Sequence, residues 1–178
     1  MDDASEEAGG QLGRLNRLSA DEARAALLDC CGSTRWAREV AALRPFRDVE
    51  RLLAEGERVW FALEHEDWLE AFRAHPRIGG KKAEVGVSED ARRWSEGEQS
   101  RAREASDETK DALVEANREY EEKFGFIFIV CATGKTAEEM LALLRGRLKN
   151  ERETELRVAA SEQWRITVLR VKKFPNVP

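Results

Sequence analysis

Apolar residues recur at helical intervals along most of the chain from Leu15 onward. Ser19 is followed by Glu22 at the spacing of a capping box, which predicts the start of a helix. The apolar positions after it repeat every three to four residues: Ala23, Ala26, Leu27 and Cys30. This first helix is predicted to end near Gly32, because glycine commonly follows the last helical turn.

The same periodicity predicts three more helices in the first half. A short one contains Trp36 and Val40 and must stop before Pro45, since proline disfavours helix in the residue before it. The next pattern runs from Val49 to Leu63, with a break expected at Gly56. Trp68, Leu69 and Phe72 mark a further helix.

In the second half, Ser95 and Glu98 have capping-box spacing and predict a long helix that continues to about Lys123. Thr136 begins another helix through a second such box, and a last helix is expected from roughly Glu153 to Lys173. The apolar segment 124–132 has strand-like composition but no partner strand elsewhere in the chain. We therefore interpret this segment as irregular or helical core.

Helix-breaking residues concentrate between His75 and Ser95, which predicts a long surface loop. Loops of this length inside a compact domain are usually functional. The predicted fold is all-α, a compact bundle of about seven to nine helices with this His-Pro loop in its middle. Residues 1–13 are acidic and poor in apolar side chains, so we expect a frayed leader there and a single helical domain over residues 14–178.

Composition narrows the possible functions. With 178 residues and 20.2 kDa, the chain can hold one domain with a substantial core. Lys and Arg number 30 against 35 Asp and Glu, a net charge of −5 that offers no basic surface for nucleic acid. No apolar run is long enough to cross a membrane. Three cysteines without CxxC spacing predict neither a disulfide framework nor a zinc site, which favours a reducing cytoplasm.

Two histidines are available for proton transfer near neutral pH. His65 stands in the acidic stretch Glu64–Asp67 and is interpreted as a solvated surface residue. His75 ends an apolar helix directly before Pro76, a position where it could serve a site or simply cap the helix dipole. Both interpretations stay open from spacing alone.

Arg170 falls within the apolar stripe of the last helix. A buried guanidinium needs an anionic partner, which is either a structural carboxylate or an anionic ligand. Ser95 and Glu98 could likewise be explained by helix capping alone.

Four ordered motifs nevertheless resemble the OHCU decarboxylase family, whose substrate is 2-oxo-4-hydroxy-4-carboxy-5-ureidoimidazoline. They are residues 74–79 (AHPRIG), 95–99 (SEGEQ), 117–132 (NREYEEKFGFIFIVCA) and 166–170 (ITVLR). Residues 44–46 (RPF) and 148–150 (LKN) are supporting matches. The resemblance covers nearly the whole chain after the leader.

The resemblance implies an all-helical, usually homodimeric enzyme of urate degradation that makes (S)-allantoin without a cofactor or metal. It implies catalytic roles for His75 as acid/base, Glu98 as an orienting group and Arg170 as the cation that faces the substrate. The substrate-binding residues that it implies are Pro76, Ser95, Glu96, Gly97, Gln99, Phe128, Ile129, Val130, Cys131 and Ala132. It also implies a functional link to urate oxidase and hydroxyisourate hydrolase.

Two alternatives remain at this point. The chain could be a non-catalytic helical interaction domain in which Arg170 pairs with Glu98, or the same scaffold could act on a related ureido compound.

Overall fold

The computed structural model describes residues 12–78 and 105–173. Within these ranges the chain forms eight helices and no strand, so the all-α prediction and the expected number of helices are confirmed. The helices are α1 (12–17), α2 (Ala20–Cys31), α3 (Thr34–Ala42), α4 (Val49–Phe61), α5 (His65–Arg73), α6 (Asp107–Phe124), α7 (Ala137–Arg147) and α8 (Arg152–Lys172).

Side-chain caps set several of the helix starts. Ser19 and Thr136 each accept a hydrogen bond from the backbone N–H three residues on, and the glutamate at that position bonds back to complete the capping box. The caps satisfy N–H groups that have no partner within the helix. Gly32 ends α2 in the left-handed conformation, with φ 84°. These boundaries agree with the sequence prediction.

Helix α8 is the central element, because it packs against α2, α4, α5 and α6. Buried tryptophans join these helices, and the indole N–H groups of Trp60 and Trp68 each donate to a carbonyl. Trp60 Nε1 donates to the carbonyl of Ala160 on α8 at 2.9 Å, and Trp68 Nε1 donates to the carbonyl of Trp60 at 2.9 Å. The core therefore buries large aromatic surface without leaving a polar atom of these rings unpaired.

The break predicted at Gly56 is wrong, since α4 continues through it from Val49 to Phe61. Gly56 lies against two indoles. A Cβ at this position would lie 3.0 Å from Trp164 and 3.1 Å from Trp36. Trp36 Nε1 also donates to the Gly56 carbonyl at 2.8 Å. The glycine lets the helix and the two rings approach closely, and this packing outweighs its low helix propensity.

The single long helix predicted from Ser95 to about Lys123 is also wrong. Helix α6 begins at Asp107, where the Ser106 side chain accepts a hydrogen bond from Thr109 N. A cap at this position marks a true helix start, and residues 95–104 lie outside the described residues. Residues 125–136 are neither helix nor strand, which confirms the irregular core segment that the sequence indicated.

The expected leader is described only at residues 12–13, which are helical, and Leu12 is buried in the core. Residues 1–11 lie outside the described part of the chain, as does the predicted loop from residue 79 onward. Among the described helices, none combines the length and the apolar character that a bilayer span requires.

Candidate active site

His75 lies just after α5, where the chain leaves the helix. Its backbone N–H donates to the Phe72 carbonyl at 3.1 Å, and Pro76 then prevents the helix from continuing. The chain is held again at Ile78, which is buried and whose carbonyl accepts a hydrogen bond from Asn117 on α6 at 3.2 Å. Contacts on both sides therefore fix the position of the His-Pro dipeptide.

The irregular segment 128–132 faces this dipeptide and is held by side chains from two helices. Cys131 N donates to Glu162 of α8 at 2.7 Å, and Arg147 of α7 donates to the Ile129 carbonyl at 2.8 Å. The Arg147 guanidinium also lies over the Phe128 ring, 4.6 Å from its centroid. These contacts supply the partners that an adjacent strand would otherwise provide.

Behind the segment lies a buried carboxylate, Glu155 of α8, with no exposed surface. It accepts hydrogen bonds from Arg147 Nε at 2.7 Å, from Asn150 at 2.7 Å, and from the Tyr120 hydroxyl. Burial raises the pKa of Tyr120 above its usual range. A fully paired charge network of this kind fixes the orientation of Arg147, and with it the position of Ile129.

The two parts line a small pocket that opens to solvent. Its lining among the described residues is mostly apolar and consists of His75, Pro76, Ile78, Phe128, Ile129, Val130, Ala132 and Ile166. A small, mainly apolar pocket with one imidazole is typical of a site for a small molecule.

The His75 imidazole is held in its neutral form. Its pKa is lowered to about 3, first by burial and then by the positive charge of Arg170, while Gln163 opposes this as a hydrogen-bonding neighbour. The residue as a whole is half-buried, and its Nε2 atom is buried. A neutral imidazole can accept a proton at physiological pH.

Arg170 is 4% exposed and lies on α8 one turn after the pocket residue Ile166. The sequence prediction that it occupies the buried face is confirmed. Cys30 and Cys31 are buried nearby, and burial raises the pKa of Cys31 to about 12 despite the opposing charge of Arg170. Both therefore remain thiols at neutral pH, which makes them poor nucleophiles.

The structure brings many of the predicted site residues to one pocket: His75, Pro76, Phe128, Ile129, Val130 and Ala132. Cys131 and Arg170 are not among the described residues that line it, although Cys131 helps to hold the wall and Arg170 acts on His75. The predicted residues Ser95, Glu96, Gly97, Glu98 and Gln99 lie outside the described residues.

Three residues at the pocket or beside His75 were not predicted as site residues. Ile78 and Ile166 line the pocket, and Gln163 is the buried neighbour of His75. Gln163 gave a usable signal, because it is a polar residue in the apolar stripe of α8 on the same face as Arg170. Ile78 and Ile166 could not be recognised as pocket residues from the sequence, since apolar side chains at these positions are equally typical of an ordinary core.

For metal binding, no cluster of three or more histidine, cysteine, aspartate or glutamate side chains occurs within residues 12–78 and 105–173. Among the described residues that line the pocket, His75 carries the titratable side chain, and the Arg170 charge acts on it.

Comparison with known proteins identifies one family. The family model for OHCU decarboxylase matches residues 16–172. The chain is 41% identical over 147 residues to the uric acid degradation bifunctional protein TTL of Arabidopsis thaliana, covering 82% of this chain and 45% of that protein. It is 33% identical over 150 residues to the uric acid degradation bifunctional protein PucL of Bacillus subtilis, covering 82% and 29%. The chain thus spans less than half the length of both relatives.

A solved structure agrees with these matches. A crystal structure of OHCU decarboxylase in the presence of (S)-allantoin superposes with a TM-score of 0.71 and 38% sequence identity. The match covers 82% of this chain and 94% of that one.

Proposed function

The chain belongs to the OHCU decarboxylase family, and from this premise we propose that it decarboxylates 2-oxo-4-hydroxy-4-carboxy-5-ureidoimidazoline to (S)-allantoin. It would then be a carboxy-lyase of urate degradation. The observation that carries the proposal is the pocket that joins His75 and Pro76 to segment 128–132, with the Arg170 charge acting on the imidazole.

The substrate can lose CO₂ by its own electronic structure. One ring carbon carries both the hydroxyl and the carboxylate, and its neighbour is part of a C=N bond. When the bond to the carboxylate breaks, its electron pair moves through the ring carbons to that nitrogen, which takes up one proton. The hydroxyl-bearing carbon and its neighbour then form an enol. Transfer of the hydroxyl proton to the neighbouring carbon gives the carbonyl and the stereocentre of allantoin.

We assign this last proton transfer to His75. A neutral imidazole accepts the hydroxyl proton as a base and returns it to the neighbouring carbon as an acid. Because the lining of the pocket presents the substrate to the imidazole from one side, the proton reaches one face only. The low pKa of His75 favours this order of events, since the free protein holds the ring in its basic form.

Arg170 has a different role in the proposal. Its charge would stabilise the negative charge that spreads into the ring as CO₂ leaves. A tight grip on the carboxylate itself would stabilise the ground state and slow the reaction, so the guanidinium is expected to interact with the ring. Bound anionic substrate would also offset the effect of Arg170 on His75 and raise the imidazole pKa toward the working range.

The Ser95–Gln99 motif completes the proposed site through the family resemblance. Glu98 would orient His75 or the substrate hydroxyl, and Ser95 and Gln99 would hydrogen-bond the ring and the ureido group. Glu96 and Gly97 belong to the same proposed binding motif.

We propose a homodimer, a cytoplasmic location and a functional link to the enzymes that produce the substrate from urate. Cys30 and Cys31 are buried free thiols, which fits a reducing compartment.

Circular dichroism tests the activity directly. Urate oxidase and hydroxyisourate hydrolase generate the substrate in the cuvette, and the purified full chain is then added. The expected result is a rapid signal of (S)-allantoin together with release of CO₂. A signal that develops no faster than in the sample without the chain would overturn the proposal, in favour of a related substrate or a non-catalytic role.

A further inference from the structure

Gln163 is fully buried on α8, and its amide orientation is fixed by its surroundings. Its side-chain Nε2 donates to the Cys31 carbonyl at 3.1 Å and to the Thr167 hydroxyl at 3.3 Å. A backbone carbonyl can only accept, so the NH₂ group must face Cys31. The hydroxyl of Thr167 in turn donates to the backbone carbonyl of Gln163 at 3.0 Å. The carboxamide cannot flip without losing the bond to Cys31.

This orientation directs the carboxamide oxygen away from Cys31. Gln163 Oε1 and His75 Nε2 are both buried, and neither makes a hydrogen bond of normal geometry in the structure. Gln163 nevertheless acts on His75 as a hydrogen-bonding neighbour. Gln163 Oε1 can only accept a hydrogen bond, and His75 Nε2 donates one when it carries hydrogen. The two buried atoms are therefore complementary.

We propose that Gln163 is a positioning residue for His75, with Oε1 accepting a hydrogen bond from Nε2–H. The neutral imidazole then carries its hydrogen on Nε2 and keeps the lone pair of Nδ1 for proton transfer. The catalytic meaning of this bond rests on the proposed decarboxylation, but the tautomer assignment does not.

The choice of an amide has a chemical reason. A carboxylate in this position would also select the Nε2–H tautomer, but its charge would stabilise the imidazolium and weaken Nδ1–H as an acid. The uncharged amide orients the ring and adds no charge of its own. The same bond survives when Nδ1 gains a proton, so the ring keeps its orientation through both proton transfers.

Nitrogen-15 NMR of the imidazole tests the tautomer without any substrate. The chain has two histidines, so the variant His65→Gln leaves His75 as the only imidazole. His65 is a suitable residue to remove, because its side chain is 47% exposed and outside the pocket lining. The expected spectrum near pH 7 shows a pyrrole-type Nε2 and a pyridine-type Nδ1. The opposite assignment would overturn the proposal.

Three variants in this background separate positioning from general damage to the core. Gln163→Leu removes the acceptor and should give a mixture of tautomers, whereas Gln163→Glu should retain the Nε2–H form and raise the imidazole pKa. Ser161→Ala on the exposed side of α8 is the control and should leave the spectrum unchanged. Unchanged shifts in folded Gln163→Leu would overturn the proposal, and so would loss of the Nε2–H tautomer in folded Gln163→Glu.

Kinetics then connect the bond to catalysis. Gln163→Leu should lower kcat by about tenfold or more with little change in KM, because a ring in the wrong tautomer still leaves the binding pocket intact. A chain with the expected tautomer but no decarboxylation would refute the proposed function alone. Full activity of Gln163→Leu with unchanged tautomer would refute the positioning role alone.

Discussion

His75 follows α5, and its pKa is lowered by burial and by the guanidinium of Arg170 on α8, which comes from a distant part of the sequence. The two groups are both held by the core, because Arg170 is 4% exposed and His75 follows a helix that packs against α8. A cation on one helix and a neutral imidazole that follows another are therefore electrostatically coupled at this site.

Replacing His75 by asparagine should remove the proton shuttle and leave the helices intact. We expect a fall in kcat of about 10²- to 10⁴-fold, the usual contribution of a general acid/base. Stopped-flow circular dichroism measures the rate, and far-ultraviolet dichroism checks the fold. Substantial stereospecific turnover in the purified variant would exclude His75 from the mechanism.

Stability should depend on pH through His75 in a predictable direction. The folded pKa of about 3 lies below the ordinary value of 6.5, so between these values the unfolded chain binds a proton that the folded chain does not. The free energy of unfolding therefore decreases as the pH falls below 6.5. The contribution of His75 to this decrease is about 1.4 kcal/mol per pH unit.

The difference between the parent chain and His75→Asn isolates that contribution, because carboxylate titrations common to both proteins cancel. Urea unfolding at several pH values should show the parent losing stability relative to the variant as acidity increases. Parallel pH dependences for the two proteins would contradict the low pKa.

Substituting Arg170 by methionine should raise the pKa of His75, since the variant removes a positive charge that disfavours the imidazolium. Imidazole titration by NMR in the His65→Gln background measures the shift. Activity should also fall sharply if the guanidinium stabilises charge in the transition state. An unchanged titration curve would show that the two groups are not coupled.

The buried carboxylate behind the pocket wall should be important for stability. Glu155→Gln removes the charge partner of Arg147, whose side chain is only 12% exposed, so we expect a loss of about 3 kcal/mol in the free energy of unfolding. Glu153→Gln, an exposed position on the same helix paired with Arg157, is the matched control and should change stability by less than about 0.5 kcal/mol. Equal effects of the two substitutions in chemical denaturation would refute the role of the network.

Gly56 and Gly146 offer a direct test of close packing. Gly56→Ala puts a methyl group 3.0 Å from Trp164 and 3.1 Å from Trp36, and we expect a destabilisation of about 1–3 kcal/mol. Gly146→Ala meets nothing within 4 Å and should instead stabilise helix α7 by about 0.5–1 kcal/mol. Thermal or urea unfolding of both variants measures the contrast. A stabilising Gly56→Ala would mean that the two indoles can move aside.

Local signals in the sequence predicted much of the fold. The capping boxes at Ser19 and Thr136 were readable because their partners are three residues away. The sequence predicts irregular or helical core for segment 124–132, because no second strand is available to pair with it. The break expected at Gly56 is wrong because the two tryptophans that pack against the glycine lie on other helices, Trp36 on α3 and Trp164 on α8, and periodicity within one segment does not show such contacts.

The candidate site was predictable as far as its motifs extend. The sequence marked His75 and segment 128–132, and the structure places them at one pocket. The charge interactions around the site could not be predicted from the sequence. Glu155 occupies a charged stretch that is typical of a solvated face, and only the tertiary structure brings Arg147 and Tyr120 to it. The low pKa of His75 likewise depends on burial and on Arg170, neither of which periodicity can measure.

Helix α8 supplies the tryptophan-lined centre of the bundle, the Glu162 anchor of the pocket wall and the guanidinium beside the imidazole. The same helix therefore contributes both to the core of the bundle and to the proposed active site. A shift or rotation of α8 that relieved crowding in the core would also move Arg170 relative to His75. The inward-facing positions of α8 must therefore satisfy core packing and the geometry of the proposed site at once. Divergence of the sequence is therefore expected to concentrate on the outward face of this helix, where neither constraint applies.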